Sequence, residues 1–143
     1  MEYIVKKTID IKAKPAKVWE ALTDPEKTKK YFFKAKVHSD WKEGSSITFK
    51  GRMFFIIPFE LTGKIVAIEP GKLLKYTLHN ASDKRNESQS TVTDVLTSAN
   101  GVTTVAITDD VGQGEGAEKR FKRSQKGWDK ILKGLKETVE EDK

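Results

Sequence analysis

The strongest constraint on this chain lies near its C-terminal end. Phe121, Trp128, Ile131, Leu132, Leu135 and Val139 recur there at the i, i+3, i+4, i+7 spacing of a helix with one buried face. Starting from Ala117, the stripe covers about two dozen residues, roughly 36 Å at 1.5 Å per residue. A helix of that length can lie along an entire curved sheet, and the preceding chain reads as one. Tyr3, Val5, Thr8 or Ile9, and Ile11 alternate with lysines in a first strand. Further strands are predicted over Ala35 to His38, Ser46 to Phe54, Phe59 to Glu69 and Leu73 to His79. Ser90 to Thr97 and Val102 to Asp109 form a hairpin across "SANG", with threonine and valine supplying β-propensity. "EPGK" marks a turn and "NASDKRNES" a loop.

Between the first and second strands, "KPAKVWEALTDPEKTKKYF" predicts two short helices in tandem. Pro15 suits a first turn, Val18, Trp19 and Leu22 form the apolar side, and Asp24 caps the second helix before Pro25. Helices and strands are thus segregated, which means α+β with an antiparallel sheet of about six to seven strands. One helix cannot fill the concave face of such a sheet everywhere, so a cavity between the two is expected. The length of 143 residues suits a single domain over residues 1–143.

The chain has no cysteine, which excludes disulfides, thiolate nucleophiles and cysteine zinc sites. Its net charge of +6, from 27 basic and 21 acidic residues, is spread along the sequence as on a solvated surface. The densest basic stretch, "EKRFKRSQK", could touch phosphate while Phe121 stacks on a base, but it also reads as the first turns of the amphipathic helix. No nucleic-acid partner is expected. The opening "MEYIVKKTIDIKAK" lacks the pattern of a signal peptide, and no run approaches the roughly 20 apolar residues of a spanning helix. A cytoplasmic monomer without a transmembrane segment is the expectation.

Signals for chemistry are sparse. His38 and His79 stand alone near strand ends, so no metal site is expected. No G-x-S-x-G elbow occurs, and Asp109 and Asp110, adjacent on a strand end, point to opposite faces, which suits caps better than shared acid–base work. "GQGEG" lacks the order of a phosphate loop and suits a hinge at the start of the long helix. Gly127, inside that helix, implies either a ring packed over it or a bend. Neither a cofactor nor catalytic residues are expected.

Four phrases in order carry a resemblance: "AKPAKVWEALTDPEKTKKYF", "LTGKIVAIEPGKLLKYTL", "STVTDVLTSANGVTTVAIT" and "GWDKILKGLKETVE". Together they resemble the activator of heat-shock-protein-ATPase homologues, a branch of the helix-grip (START-like, Bet v 1-like, SRPBCC) superfamily. The resemblance covers essentially the whole chain and implies a helix-grip fold, in which an antiparallel sheet grips the C-terminal helix over a hydrophobic cavity. Where that branch often carries tryptophans after the second short helix, this chain has Tyr31, Phe32 and Phe33. The resemblance also implies a second role, a stress-linked, co-chaperone-like partner of a heat-shock ATPase. It implies a third as well, cyclase or hydrolase activity, which no acid, base or nucleophile cluster supports.

The apolar run "MFFIIPF", Met53 to Phe59, has two readings: strand ends meeting around Pro58, or an apolar lip at the cavity mouth. Arg52 and Glu60 bracket it and would suit opposed hairpin positions. Phe121 and Tyr76 suit pocket and core equally, whereas Trp19 suits core. Gln125, one turn after Phe121, could orient a ligand or merely flank the helix. The leading expectation is a binding module for a small lipophilic molecule, with Phe32, Phe54, Tyr76, Phe121, Gln125 and Trp128 near the ligand.

Overall fold

The computed structural model describes residues 3–53, 57–81 and 89–141. Seven strands form one antiparallel sheet in the order β1-β7-β6-β5-β4-β3-β2. They are β1 Ile4–Ile11, β2 Lys36–Ser39, β3 Ser46–Met53, β4 Ile57–Glu69, β5 Leu73–Asn80, β6 Ser90–Ala99 and β7 Val102–Asp110. The helices are α1 Pro15–Thr23, α2 Pro25–Tyr31 and α3 Ala117–Glu141. This is the expected α+β, helix-grip-like arrangement. Among the described residues, no helix is long and apolar enough to cross a membrane.

Proline opens both short helices, where its missing N–H costs nothing. Asp24 caps α2 as expected, its Oδ1 accepting from the Glu26 N–H at 2.9 Å. Two buried hydroxyls then fasten α2. Tyr31 donates to the Ala21 carbonyl of α1 at 2.7 Å. Thr28 donates to the Ala35 carbonyl at 3.0 Å and accepts from the Val37 N–H at 3.1 Å.

Alternation along the strands selects the inner face. Leu74, Tyr76 and Leu78 of β5, Val92, Asp94 and Leu96 of β6, and Val105, Ile107 and Asp109 of β7 are all buried beneath α3. The second half of α3 buries Ile131, Leu132, Leu135 and Val139. Three polar links hold it to β1 and the turn after it. Lys7 pairs with Asp129 at 2.7 Å, Lys136 donates to the Asp10 carbonyl at 2.7 Å, and Glu140 accepts from the Lys12 N–H at 2.9 Å.

The sheet bends within β4, where an irregularity between Ile65 and Ala67 puts one extra residue opposite β5. Nearby, Gly63 meets β5 so closely that an added Cβ would lie 1.8 Å from the Thr77 carbonyl oxygen.

The register corrects one expectation. Glu60 lies opposite Lys50, with an ion pair at 3.7 Å, whereas Arg52 lies opposite Pro58. Bracketing a run in sequence does not make two charges partners, because the pairing is set by where the strands turn. Pro58 falls inside β4 but beyond the stretch paired with β5, at an end where an absent N–H is tolerated. The rest of the apolar run, residues 54–56 with Phe54, lies outside the described residues.

Candidate functional site

The first half of α3 stands off the sheet and leaves a cavity of about 470 Å³. Its floor comes from Leu61 of β4, Leu78 of β5, Val92 of β6 and Asp109 of β7, and its roof from Ser124, Gly127, Trp128 and Ile131 of α3. Phe32 and Phe33, which follow α2, close one side. Phe32 stacks on Phe49 with centroids 4.4 Å apart and meets Trp128 edge-on at 6.2 Å, so its ring is fixed. Phe33 is 49% exposed and has a left-handed backbone, φ 49°. Such a conformation is strained for a bulky residue and here holds the ring beside Gly127, where an added Cβ would lie 3.7 Å from Phe33 Cζ. A ring packed over Gly127 is thus what the structure shows.

Polar side chains share this lining. Asp109 is 6% exposed, and its Oδ2 accepts from Ser124 Oγ at 2.6 Å and Trp128 Nε1 at 2.9 Å. Its Oδ1 is buried without a hydrogen-bond partner. Neighbouring Asp110 faces outward and accepts from the Gly112 N–H at 2.9 Å, so the two carboxylates do point to opposite faces. His79, Asn80 and Ser90 line the cavity at one end, with His79 Nδ1 3.0 Å from the Asn80 carbonyl.

Arg120 and Arg123 also line the cavity. Arg120 clasps the connector into α3: Nε and Nη2 donate to the Val111 carbonyl at 3.2 and 3.1 Å, and Nη1 to the Glu115 carbonyl at 3.1 Å. The glycines of "VGQGEG" take positive φ to make this loop, so the segment expected as a hinge is tied down by the helix it precedes.

Deeper in, an inner chamber of about 20 Å³ lies among Tyr31, Tyr76, Asp94, Leu132 and Leu135, with room for a single water. Asp94 is 3% exposed and its Oδ1 has no partner. Burial first, then the neighbouring charge of Asp109, pushes its carboxyl up to about 7. Tyr76 and Tyr31 are held well above the usual phenol range, chiefly by burial.

Of the residues expected near a ligand, Phe32 and Trp128 line the larger cavity and Tyr76 lines only the inner chamber. Phe121 is half-buried and packs against Tyr3 at 5.9 Å, and Gln125 is half-buried; neither lines the cavity. Asp94 was legible in principle, since it sits between Val92 and Leu96 on their face of β6. Ser124 and Arg120 carried no signal of their own, because hydroxyls and guanidiniums are common on a helix flank.

No curated protein matches this sequence. Among solved structures, a solution structure of a Cytophaga hutchinsonii protein is 34% identical, with a TM-score of 0.76 over 96% of this chain and 94% of that one. A crystal structure of a Mesorhizobium loti protein superposes with a TM-score of 0.82 at 22% identity, covering 98% of each chain. A protein from the dynemicin biosynthetic locus matches at 20% identity with a TM-score of 0.78, over 98% of this chain and 48% of its own. The sequence itself matches the family described as activator of Hsp90 ATPase homolog 1-like protein over residues 12–140. A match across nearly the full length, joined to the fold and its gripped helix, assigns this chain to the activator of Hsp90 ATPase homolog 1-like protein family.

Proposed function

We propose that the protein binds a small, largely apolar molecule between the first half of α3 and strands β4 to β7. The observation that carries this reading is the cavity of about 470 Å³, whose volume suits a small-molecule site and whose aromatic and aliphatic walls are joined by polar side chains from β5, β6, β7 and α3. Phe32 and Trp128 form the walls in this reading, and Tyr76 supports them from the layer below. Phe121, packed against Tyr3, lies outside the lining of the cavity in this reading.

An amide-proton NMR titration with flavonoids, sterols, fatty acids and polyketides tests it. Saturable shifts confined to residues 120–131 and the facing strands are expected. Their absence across the whole library would reject the reading. Stimulation of a heat-shock ATPase is the second reading; it draws on the family description alone, and the cavity geometry adds nothing to it.

A further inference from the structure

The two ends of the cavity differ in charge. Leu78 lies opposite Ser90 and Thr91 opposite Asp110, so His79, Ser90 and Val111 fall at the same end of the sheet. Arg120 is held at that end by its bonds to the Val111 carbonyl, and Arg123, one turn later on α3, lines the same cavity. From Arg120 to Ile131 the helix rises about 16 Å. Over that distance the lining turns to Trp128, Ile131 and the Phe32 ring that meets Trp128 edge-on.

The charged end has donors to spare. Arg120 gives Nε, Nη1 and Nη2 one carbonyl bond each, which leaves a second N–H on each Nη. Arg123 is exposed and makes no hydrogen bond or ion pair with the described residues, and the Ser90 hydroxyl makes none either. Asp109, the carboxylate in this lining, lies two residues farther in along β7 than Val111, roughly 7 Å at the rise of a strand. Its Oδ2 is taken by Ser124 and Trp128 and its Oδ1 is buried. Two guanidiniums at the rim against one enclosed carboxylate leave a positive excess there, and apolar walls focus it.

We propose that the occupant of the cavity is an apolar acid, whose carboxylate meets Arg123 beside the charge of Arg120 and whose body lies along Leu78 and Val92 beneath Trp128. The inference rests on the cavity being a ligand site and names the chemistry of what it takes. The planar fork of a guanidinium matches a carboxylate, and the same two charges disfavour an ammonium compound. Such a molecule enters body first. Its charge stays at the rim, where Arg123 is exposed, so the carboxylate avoids the full cost of leaving water.

The test compares 2-naphthoate with its uncharged isostere 2-naphthamide on the intact protein, by NMR titration at low salt. Naphthoate should bind about tenfold more tightly, the lower range for a charge-assisted hydrogen bond, because Arg123 is exposed and screened. Arg123→Gln should bring the two compounds nearly level, and Arg123→Lys, which keeps the charge but not the fork, should retain part of the preference. Lys130→Gln removes the same charge from an exposed position of α3 outside the lining and should leave the preference unchanged. Equal affinities in the unaltered protein, or a preference undiminished by Arg123→Gln or lowered as much by Lys130→Gln, would overturn the acid inference and leave the cavity reading standing. Binding of neutral library compounds alone would do the same. If neither naphthyl compound and nothing in the wider library binds, both fall.

Discussion

The two halves of α3 lie over the same sheet yet do opposite things. Past Ile131 the helix is clamped down, and the chamber beneath it, beside Asp94, is small. Before Ile131 it stands off and roofs the cavity. Two glycines of one helix record the difference. At Gly134 an added Cβ would fall 2.7 Å from Tyr31 Cβ and 3.3 Å from its Cα, so the helix can approach α2 only without a side chain there. At Gly127 the nearest atom, on Phe33, is at an ordinary 3.7 Å. Amphipathic periodicity alone therefore does not say how tightly a helix is seated; the residue opposite each small side chain does.

The largest expected effect tests the clamped half. Leu135 is 1% exposed, and Leu135→Ala should cost about 2–5 kcal/mol, whereas Phe33→Ala at the open half should stay within about 1 kcal/mol. Urea denaturation of both variants measures the contrast, and equal losses would erase it.

Next comes the acid buried in the clamped half. Asp94 keeps its proton to a higher pH in the folded chain than in the unfolded one, so folding takes up a proton between about pH 4 and pH 7. Stability from this group is complete below that window, declines as pH rises through it, and is flat above about pH 7. At 1.36 kcal/mol per pKa unit the full swing is about 4 kcal/mol at most. Asp94→Asn should therefore be the more stable protein at pH 8 and lose that advantage toward pH 4, as read from thermal melts across pH. A constant difference would show that the chamber is wetter than its walls imply.

The smallest effects come from the glycines themselves. Gly134→Ala should lose about 1–2 kcal/mol, because steric overlap with Tyr31 outweighs the helix-propensity gain. Gly127→Ala should gain up to about 1 kcal/mol. Changes of the same sign would mean that the halves are seated alike.

Much of this architecture was legible in the sequence because it rests on local periodicity. The stripe from Phe121 to Val139, the Pro15 and Pro25 helix starts, the Asp24 cap and the final hairpin all follow from neighbours within a few residues. What was not legible depends on register and on the third dimension. Lys50 rather than Arg52 faces Glu60 because the strands turn where they do. Phe121 and Gln125 share α3 with Trp128 but sit away from the lining of the cavity, since a small rotation decides which helical residues look down into it. Asp109 was read as a cap because a carboxylate at a strand end usually faces water; its burial depends on Ser124 and Trp128 arriving from a different element.

Gly63 contributes nothing to the walls of the cavity, yet its contact with the Thr77 carbonyl leaves no room for any side chain at the bend of the sheet. A larger residue there would push β4 from β5 and flatten the concave face. The shape of the container and the chemistry of its lining are therefore encoded at separate positions. Wall residues such as Leu61, Leu78 and Val92 can be exchanged to suit a new occupant while the vessel itself keeps its form.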